Sequence, residues 1–109
     1  MDEKPDWEGM FDFSTPHIQA WEVDQIRTAE REKRLVLPPY AVDRCLSRSI
    51  KTPDVFTSVR VGNAVEKDLP SHPDRQPGIA FRHGIQARFL KVKVGYLARR
   101  YRVVTVHDE

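Results

Sequence analysis

The sequence predicts an α+β fold in which two to three N-terminal helices pack on a three- to four-stranded antiparallel sheet. Two short segments that open with proline show helical apolar spacing in the first half of the chain, and alternating strands with short connections fill the second half. With 109 residues, 39% of them hydrophobic, the chain can bury a core without disulfides. We expect a single α+β domain over residues 15–109, preceded by an acidic aromatic arm at residues 1–14.

The arm combines negative charge with aromatic side chains. Residues 1–12 contain five acidic residues and one lysine, and Trp7, Phe11 and Phe13 follow one another closely. This density of aromatic residues is unusual for a disordered segment. We therefore expect the arm to dock, either on its own domain, which we favour, or on a partner.

A first helix is expected from about Pro16 to Leu35. Ser14 and Thr15 offer hydroxyl caps, and proline suits the first helical position. The apolar stripe is weak and the second half of the segment is almost entirely charged, which indicates a solvated face. The two prolines at 38–39 would stop the helix.

Two shorter helices are expected next. One opens at Pro39 and places an apolar face at Val42, Cys45, Leu46 and Ile50. Arg44 and Arg48 lie one turn apart on its adjoining face. The other opens at Thr52-Pro53 and ends near Gly62, although alternation over residues 55–61 leaves a strand as the alternative.

Four strands are expected after the helices, over residues 64–69, 79–81, 87–94 and 99–107. A loop with three prolines and a glycine separates the first two, and the short later connections favour an antiparallel meander. Because the last strand carries apolar residues on both faces, we expect it to be a central strand.

The charge of the chain is strongly asymmetric. Residues 75–102 hold eight Lys and Arg and no acid, whereas the net charge of the whole chain is +2. Such segregation favours a surface that faces a polyanion, and the alternative is that the bases merely point outward from solvated strands. The predicted nucleic-acid contacts are Arg82, Arg88, Lys91, Lys93, Arg99, Arg100 and Arg102.

No cofactor or metal is expected. The four histidines are scattered, the single Cys45 lacks a partner at ligand spacing, and no phosphate-binding glycine-rich loop is present. A lone cysteine suits a reducing compartment, and no signal-peptide pattern or long apolar run occurs. We therefore expect a cytoplasmic protein without membrane association.

Residues 37–107 resemble a family of small bacterial domains. The family pattern is a His-Ala-x-x-Arg-Met-x-x-Arg-Gly-Ile helix, a second helix ending in glycine, and a closing Ile-Thr-Val-Tyr strand. The counterparts here are the segment from Tyr40 to Ile50, the segment from Thr52 to Gly62, and Val104-Thr105-Val106-His107. These domains look related to the RelE-like ribonuclease toxins, in the wider grouping with barnase and colicin-type ribonucleases.

The resemblance implies an RNA-cleaving site at Arg44, Arg48, His107 and Tyr40. The arginines would contact the scissile phosphate, and a histidine would move a proton. The family's histidine is Tyr40 here and its terminal tyrosine is His107, so His107 either takes over proton transfer or activity is lost. Two alternatives stay open: fraying of His107 as a near-terminal residue, and pairing of the arginines with Asp43 or Asp54.

Two functions from different classes follow. The first is a small RNA-binding protein of the toxin type, acting on RNA or ribosome-associated RNA and cleaving it without a metal if activity is retained. The second is a non-catalytic interaction protein, such as a mobile-element inhibitor or regulator, whose acidic arm binds a partner protein: an antitoxin, an immunity protein or a target of inhibition. A duplex-DNA binder is less favoured because no recognition helix is evident.

Overall fold

The computed structural model describes residues 4–109 and confirms the predicted α+β fold. Three helices precede a four-stranded antiparallel sheet whose strand order follows the chain. The helices are α1 (Ala20–Arg31), α2 (Pro39–Ser47) and α3 (Thr52–Val61), and the strands are β1 (Asn63–Asp68), β2 (Gly78–Ile85), β3 (Arg88–Leu97) and β4 (Arg100–Asp108). In the described range, no helix is long and apolar enough to cross a bilayer.

The core lies between the helices and one face of the sheet. Side chains that alternate inward from β2 and β3, such as Phe81, Val92 and Val94, are fully buried against Ile26 and Val55 of the helices. The opposite face, which carries Ala80, Lys91 and Lys93, is here called the outer face. Lys91 is partly exposed there, so this face supplies polar groups rather than core.

α3 is a helix, so the strand alternative for residues 55–61 is wrong. It buries Val55, Ser58 and Val59, which recur with helical spacing. Gly62 ends the helix as predicted. Glycine is needed at this position because a Cβ would lie 2.3 Å from the carbonyl oxygen of Ser58. In α2, Cys45 is buried, whereas Leu46 is 74% exposed. The prediction that Leu46 belongs to the apolar face of this helix is therefore wrong.

α1 begins later than predicted, because its cap is Gln19 rather than the hydroxyls before Pro16. The Glu22 carboxylate accepts from the backbone N–H of Gln19 and of Asp12, both at 2.9 Å. It also pairs with Lys67 of β1 at 2.9 Å, and both side chains are completely buried. This ion pair fixes the start of the helix against the sheet and the arm, which local capping propensity cannot anticipate.

α1 also ends earlier than predicted, at Arg31 instead of near Leu35. Lys33 takes a left-handed φ of 61°, and Arg34 N–H donates to the Ala29 carbonyl at 2.7 Å. This is a Schellman ending with lysine at the position that glycine usually occupies. The chain then turns so that Val36 exchanges backbone hydrogen bonds with β4.

β4 lies at the edge of the sheet, so the prediction of a central strand is wrong. Lys93 pairs with Thr105 but Val94 pairs with Val103, which leaves Val104 as an extra residue in a bulge. The bulge shifts the alternation, so that Val103 before it and Val106 after it both face the core although they are three residues apart. This shift accounts for the apolar residues that the sequence places on both faces.

The arm packs on the domain over its described residues, 4–14. Phe11 is only 3% exposed and stacks against Phe13, which meets Trp7 edge to face. Asp6 accepts a 2.9 Å hydrogen bond from the Ala98 N–H in the β3–β4 turn. The arm thus contacts both the core and the β3–β4 turn at one end of the sheet.

Candidate nucleic-acid interface

A cavity of about 320 Å³ on the outer face, here called the sheet groove, gathers several predicted site residues. It lies over β2, β3 and β4 and is closed on one side by the loop that precedes β2. Its lining residues are Glu66, Asp74, Arg75, Gln76, Ala80, Lys91, Lys93, Thr105 and His107.

The small side chain of Ala80 forms the floor of the sheet groove. Ala80 pairs with Lys93 on one side and with Glu66 on the other. Its methyl group leaves room for lysines of β3 to reach over β2. Lys91 thereby meets Glu66 of β1 at 2.5 Å, and Lys93 meets Asp68 of β1 at 2.5 Å.

His107 stands beside these lysines as the cross-strand partner of Lys91. Partial burial lowers the pKa of His107 below its ordinary value of 6.5, and the charges of Arg44, Arg48 and the two groove lysines lower it further. The imidazole is therefore neutral near pH 7. A neutral imidazole next to ammonium groups can accept a proton from a hydroxyl held at a bound phosphate.

The cations of the sheet groove already have carboxylate partners. Arg75 donates to Glu66 at 3.0 Å and to Asp68 at 3.3 Å, in addition to the two lysine pairs. Burial alone would raise the pKa of Asp68, but its bonds with Lys93 and Arg75 lower the pKa below the ordinary value. The sheet groove is thus a network of paired charges and not an open basic surface.

Of the two predicted phosphate-binding arginines, Arg44 lies in α2 and Arg48 is the residue that caps its C-terminal end. Arg48 pairs with Asp108 at 3.0 Å, rather than with the acids that the sequence offered. Arg44 is exposed and makes no ion pair within residues 4–109. The charges of both arginines contribute to the lowered pKa of His107, and neither arginine lines the sheet groove.

Tyr40, the fourth predicted catalytic residue, is placed differently. Its hydroxyl lies 2.9 Å from the Val103 carbonyl oxygen and 2.8 Å from that of Val104, at the bulge of β4. Burial raises the pKa of Tyr40. Tyr40 does not line the sheet groove; it fastens α2 to the edge strand.

Two predicted phosphate contacts hold the structure together instead of facing a groove. The Arg82 guanidinium lies 3.7 Å from the centre of the Phe89 ring and pairs with Glu109. Arg88 pairs with Asp108 at 3.2 Å and donates to two carbonyl oxygens at the end of α2.

The remaining predicted contacts, Arg99, Arg100 and Arg102, lie at the β3–β4 turn, far from the sheet groove. Arg99 and Arg100 line a second cavity of about 410 Å³, here called the hairpin cavity. Its other lining residues are Met10, Lys33, Arg34, Val36, Tyr96 and Tyr101. Arg102 donates to the Leu97 carbonyl at 3.0 Å and does not line it.

Sequence reasoning missed the acidic half of the sheet groove and the lysine and arginine that follow α1. Glu66 and Asp68 alternate on β1 in the same way as Lys91 and Lys93 on β3. That parity was visible in the sequence. The register that brings the two pairs to one face was not.

The described part of the chain contains no site suited to metal binding or to thiol chemistry. No group of three or more His, Cys, Asp or Glu residues could hold a metal ion there. Cys45 is completely buried, and burial raises the pKa of its thiol, so it is suited to packing rather than to nucleophilic attack.

No protein-family model, curated protein or solved structure matches this chain. The resemblance to RelE-like and barnase-like ribonucleases stays a prediction that rests on the order of its motifs.

Proposed function

We propose that this protein binds RNA and cleaves it at the sheet groove without a metal ion. The observation that supports this most is the meeting of His107, Lys91 and Arg75 around one cavity with an alanine floor. A neutral imidazole and two cations beside it are the groups that a phosphodiester needs for attack by its own 2′-hydroxyl.

In the proposed step, the 2′-oxygen bonds to phosphorus while the bond from phosphorus to the 5′-oxygen breaks. His107 accepts the 2′-hydroxyl proton, and the leaving 5′-oxygen takes a proton from water. The products are a 2′,3′-cyclic phosphate and a free 5′-hydroxyl. Lys91 and Arg75 stabilise the charge that grows on the phosphate oxygens.

In the absence of RNA, Glu66 holds Arg75 and Lys91 in position. The Arg75 side chain is 52% exposed and that of Lys91 27%, so a phosphate oxygen can approach both. Lys93 and Asp68 are 8% and 6% exposed, and their pair remains as the rigid wall of the sheet groove.

The test is cleavage of a labelled single-stranded RNA in the presence of a chelator. We expect wild type to form the cyclic phosphate, and His107→Gln to lower the rate about 100-fold or more with RNA affinity within about twofold. His17→Gln is the matched control, because the exposed His17 lies on the segment before α1 and takes no part in the step. Cleavage by His107→Gln at the wild-type rate would refute the assignment.

One observation favours the second candidate, a non-catalytic interaction protein. The three cations of the sheet groove face Glu66, Asp68 and Asp74, so the cavity is close to neutral before any ligand binds. If wild type binds RNA without cleaving it, or does not bind RNA, this candidate replaces the ribonuclease. The acidic arm would then act as part of the folded domain, because its aromatic residues are packed against the core.

A further inference from the structure

The hairpin cavity differs from the sheet groove in having cations without carboxylates. Four basic residues line it, Lys33 and Arg34 from the end of α1 and Arg99 and Arg100 from the β3–β4 turn, and no acidic residue does. Arg34 pairs with Glu32, whereas the other three make no ion pair among residues 4–109. Like charges gathered in this way repel one another unless an anion lies between them.

The backbone that carries these cations adopts costly conformations. Lys33, Ala98 and Arg99 have φ values of 61°, 53° and 63°, in the left-handed region that side chains other than glycine rarely take. The turn has only two residues, because Leu97 pairs with Arg100. Two left-handed residues are what a two-residue hairpin turn requires, and Lys33 is the left-handed residue that ends α1, so both turns place basic side chains at the cavity at a conformational cost that glycine would avoid.

Contacts from the arm hold this strained turn in place. Asp6 accepts the N–H of Ala98 at 2.9 Å, and Met10 lines the cavity. The backbone that carries Arg99 and Arg100 is therefore fixed before a ligand binds, which reduces the backbone entropy lost on binding.

The walls of the hairpin cavity are apolar and aromatic. The rings of Tyr96 and Tyr101 meet edge to face with centroids 5.0 Å apart, and Val36 and Met10 complete the lining. Burial raises the pKa of Tyr101 to about 12, and its hydroxyl donates to Gln25 at 2.8 Å, so the ring is neutral and fixed. The partly exposed ring of Tyr96 can stack on a base, and the arginines that line the same cavity can bind its phosphate.

We propose that the hairpin cavity binds a nucleotide of single-stranded RNA, as an anchoring subsite separate from the sheet groove. This rests on the proposed RNA binding, and it assigns affinity to one end of the sheet and bond cleavage to the other. Along β4, Arg100 and His107 are seven residues apart, a span of roughly 23 Å. Tyr96 and Tyr101 lie on the helix-facing side of the sheet and His107 lies on the outer face, so an RNA strand of several nucleotides that occupies both sites passes around the edge of the sheet at β4.

The first experiment measures RNA affinity against salt for the full chain, using a twelve-nucleotide single-stranded RNA. We expect Arg99→Gln/Arg100→Gln to weaken binding at least tenfold and to reduce the slope of log K against log salt by about 1.4, the effect of two lost phosphate contacts on a single strand. Arg31→Gln/Lys51→Gln removes the same charge from exposed residues outside both cavities and should change neither quantity by more than about half as much. Arg99→Lys/Arg100→Lys keeps the charge and should retain most of the affinity, provided both double variants melt as wild type does.

The second experiment locates the nucleotide. Adenosine 5′-monophosphate should shift the backbone amide NMR signals of Lys33, Arg34, Arg99 and Arg100, and adenosine without phosphate should shift them much less. If Arg99→Gln/Arg100→Gln binds RNA as tightly as the control variant Arg31→Gln/Lys51→Gln does, the inference is overturned. A hexaglutamate peptide that binds as tightly as a six-nucleotide RNA would also overturn it, because the cavity would then be a site for acidic peptides.

The anchoring subsite and the proposed RNA cleavage can be refuted independently of each other. Loss of affinity in Arg99→Gln/Arg100→Gln without any cleavage by wild type would leave the anchoring subsite and remove the ribonuclease. Cleavage that depends on His107 with unchanged affinity in the double variant would do the reverse.

Discussion

The sheet groove and the hairpin cavity are both supplied by the basic segment 75–102, yet the two sites differ in how their charges are balanced. In the sheet groove, Lys91 and Lys93 meet carboxylates of β1 at 2.5 Å. In the hairpin cavity, Arg99 and Arg100 have no such partner within the described residues. A charged stretch of sequence therefore becomes either a structural network or a candidate binding surface, depending on what the sheet register places opposite it.

The two sites also differ in backbone conformation. In the sheet groove, the lysines and Arg75 pair with carboxylates of β1. The hairpin cavity lies on three left-handed residues and a set of repelling cations. The first arrangement favours stability, and the second is relieved by a bound anion.

The largest expected effect is the loss of stability when an ion pair of the sheet groove is broken. Lys93→Met should lower the free energy of unfolding by about 3 kcal/mol, near the low end for a broken buried pair because Arg75 still contacts Asp68. Lys91→Met, at a more exposed pair, should cost about 1 kcal/mol or less. Urea unfolding measures both, and equal losses would show that burial does not separate the two pairs.

A smaller effect is expected from an anion in the unpaired site. Replacing chloride with sulfate at equal ionic strength should raise the melting temperature of wild type more than that of Arg99→Gln/Arg100→Gln, because sulfate occupies the hairpin cavity. An anion present at ten times its Kd adds about 1.4 kcal/mol. The double variant reports the general stabilisation by sulfate, and an identical rise in both proteins would argue against the site.

Relief of strain should be smaller still. Ala98→Gly should raise the free energy of unfolding by about 0.5 kcal/mol, because glycine takes the φ of 53° without penalty and partly offsets this by a more flexible unfolded chain. Ala87→Gly, in the β2–β3 turn at a position without a left-handed φ, should instead destabilise the protein. Chemical denaturation of the two variants gives the comparison, and a loss in both would mean that the turn is not strained.

The smallest expected effect concerns the pH dependence that His107 adds. Its folded pKa lies below the unfolded value, so between the two the unfolded chain binds more protons and stability falls as the pH drops below about 6.5. His107→Gln should lose less stability than wild type between pH 7 and pH 5. Parallel curves for wild type and His107→Gln would contradict the lowered pKa of His107.

Much of the fold was predictable because its signals are local. The starts of α2 and α3, the loop before β2 and the alternation in β3 depend on proline placement and periodicity, and the structure has helices and strands at these places. The start of α1 was not predictable, because Glu22 is held by Lys67, 45 residues away in sequence. The position of β4 was misjudged because one bulged residue, Val104, changes which side chains face inward.

The candidate sites were predicted only in part, for the same reason. Single residues such as His107 and Arg99 could be selected by type. The partners that decide their roles, Glu66 and Asp68, required the register of β1 against β2 and β3. No local pattern contains that register.

If one end of the sheet anchors RNA and the other end cleaves it, steady-state kinetics on one RNA substrate separate the two roles. We predict that Arg99→Gln/Arg100→Gln raises KM about tenfold with kcat unchanged, and that Lys91→Gln lowers kcat with a much smaller change in KM. If both variants change the same parameter, or if wild type leaves the RNA intact in the presence of a chelator, the division of roles between the two sites is contradicted.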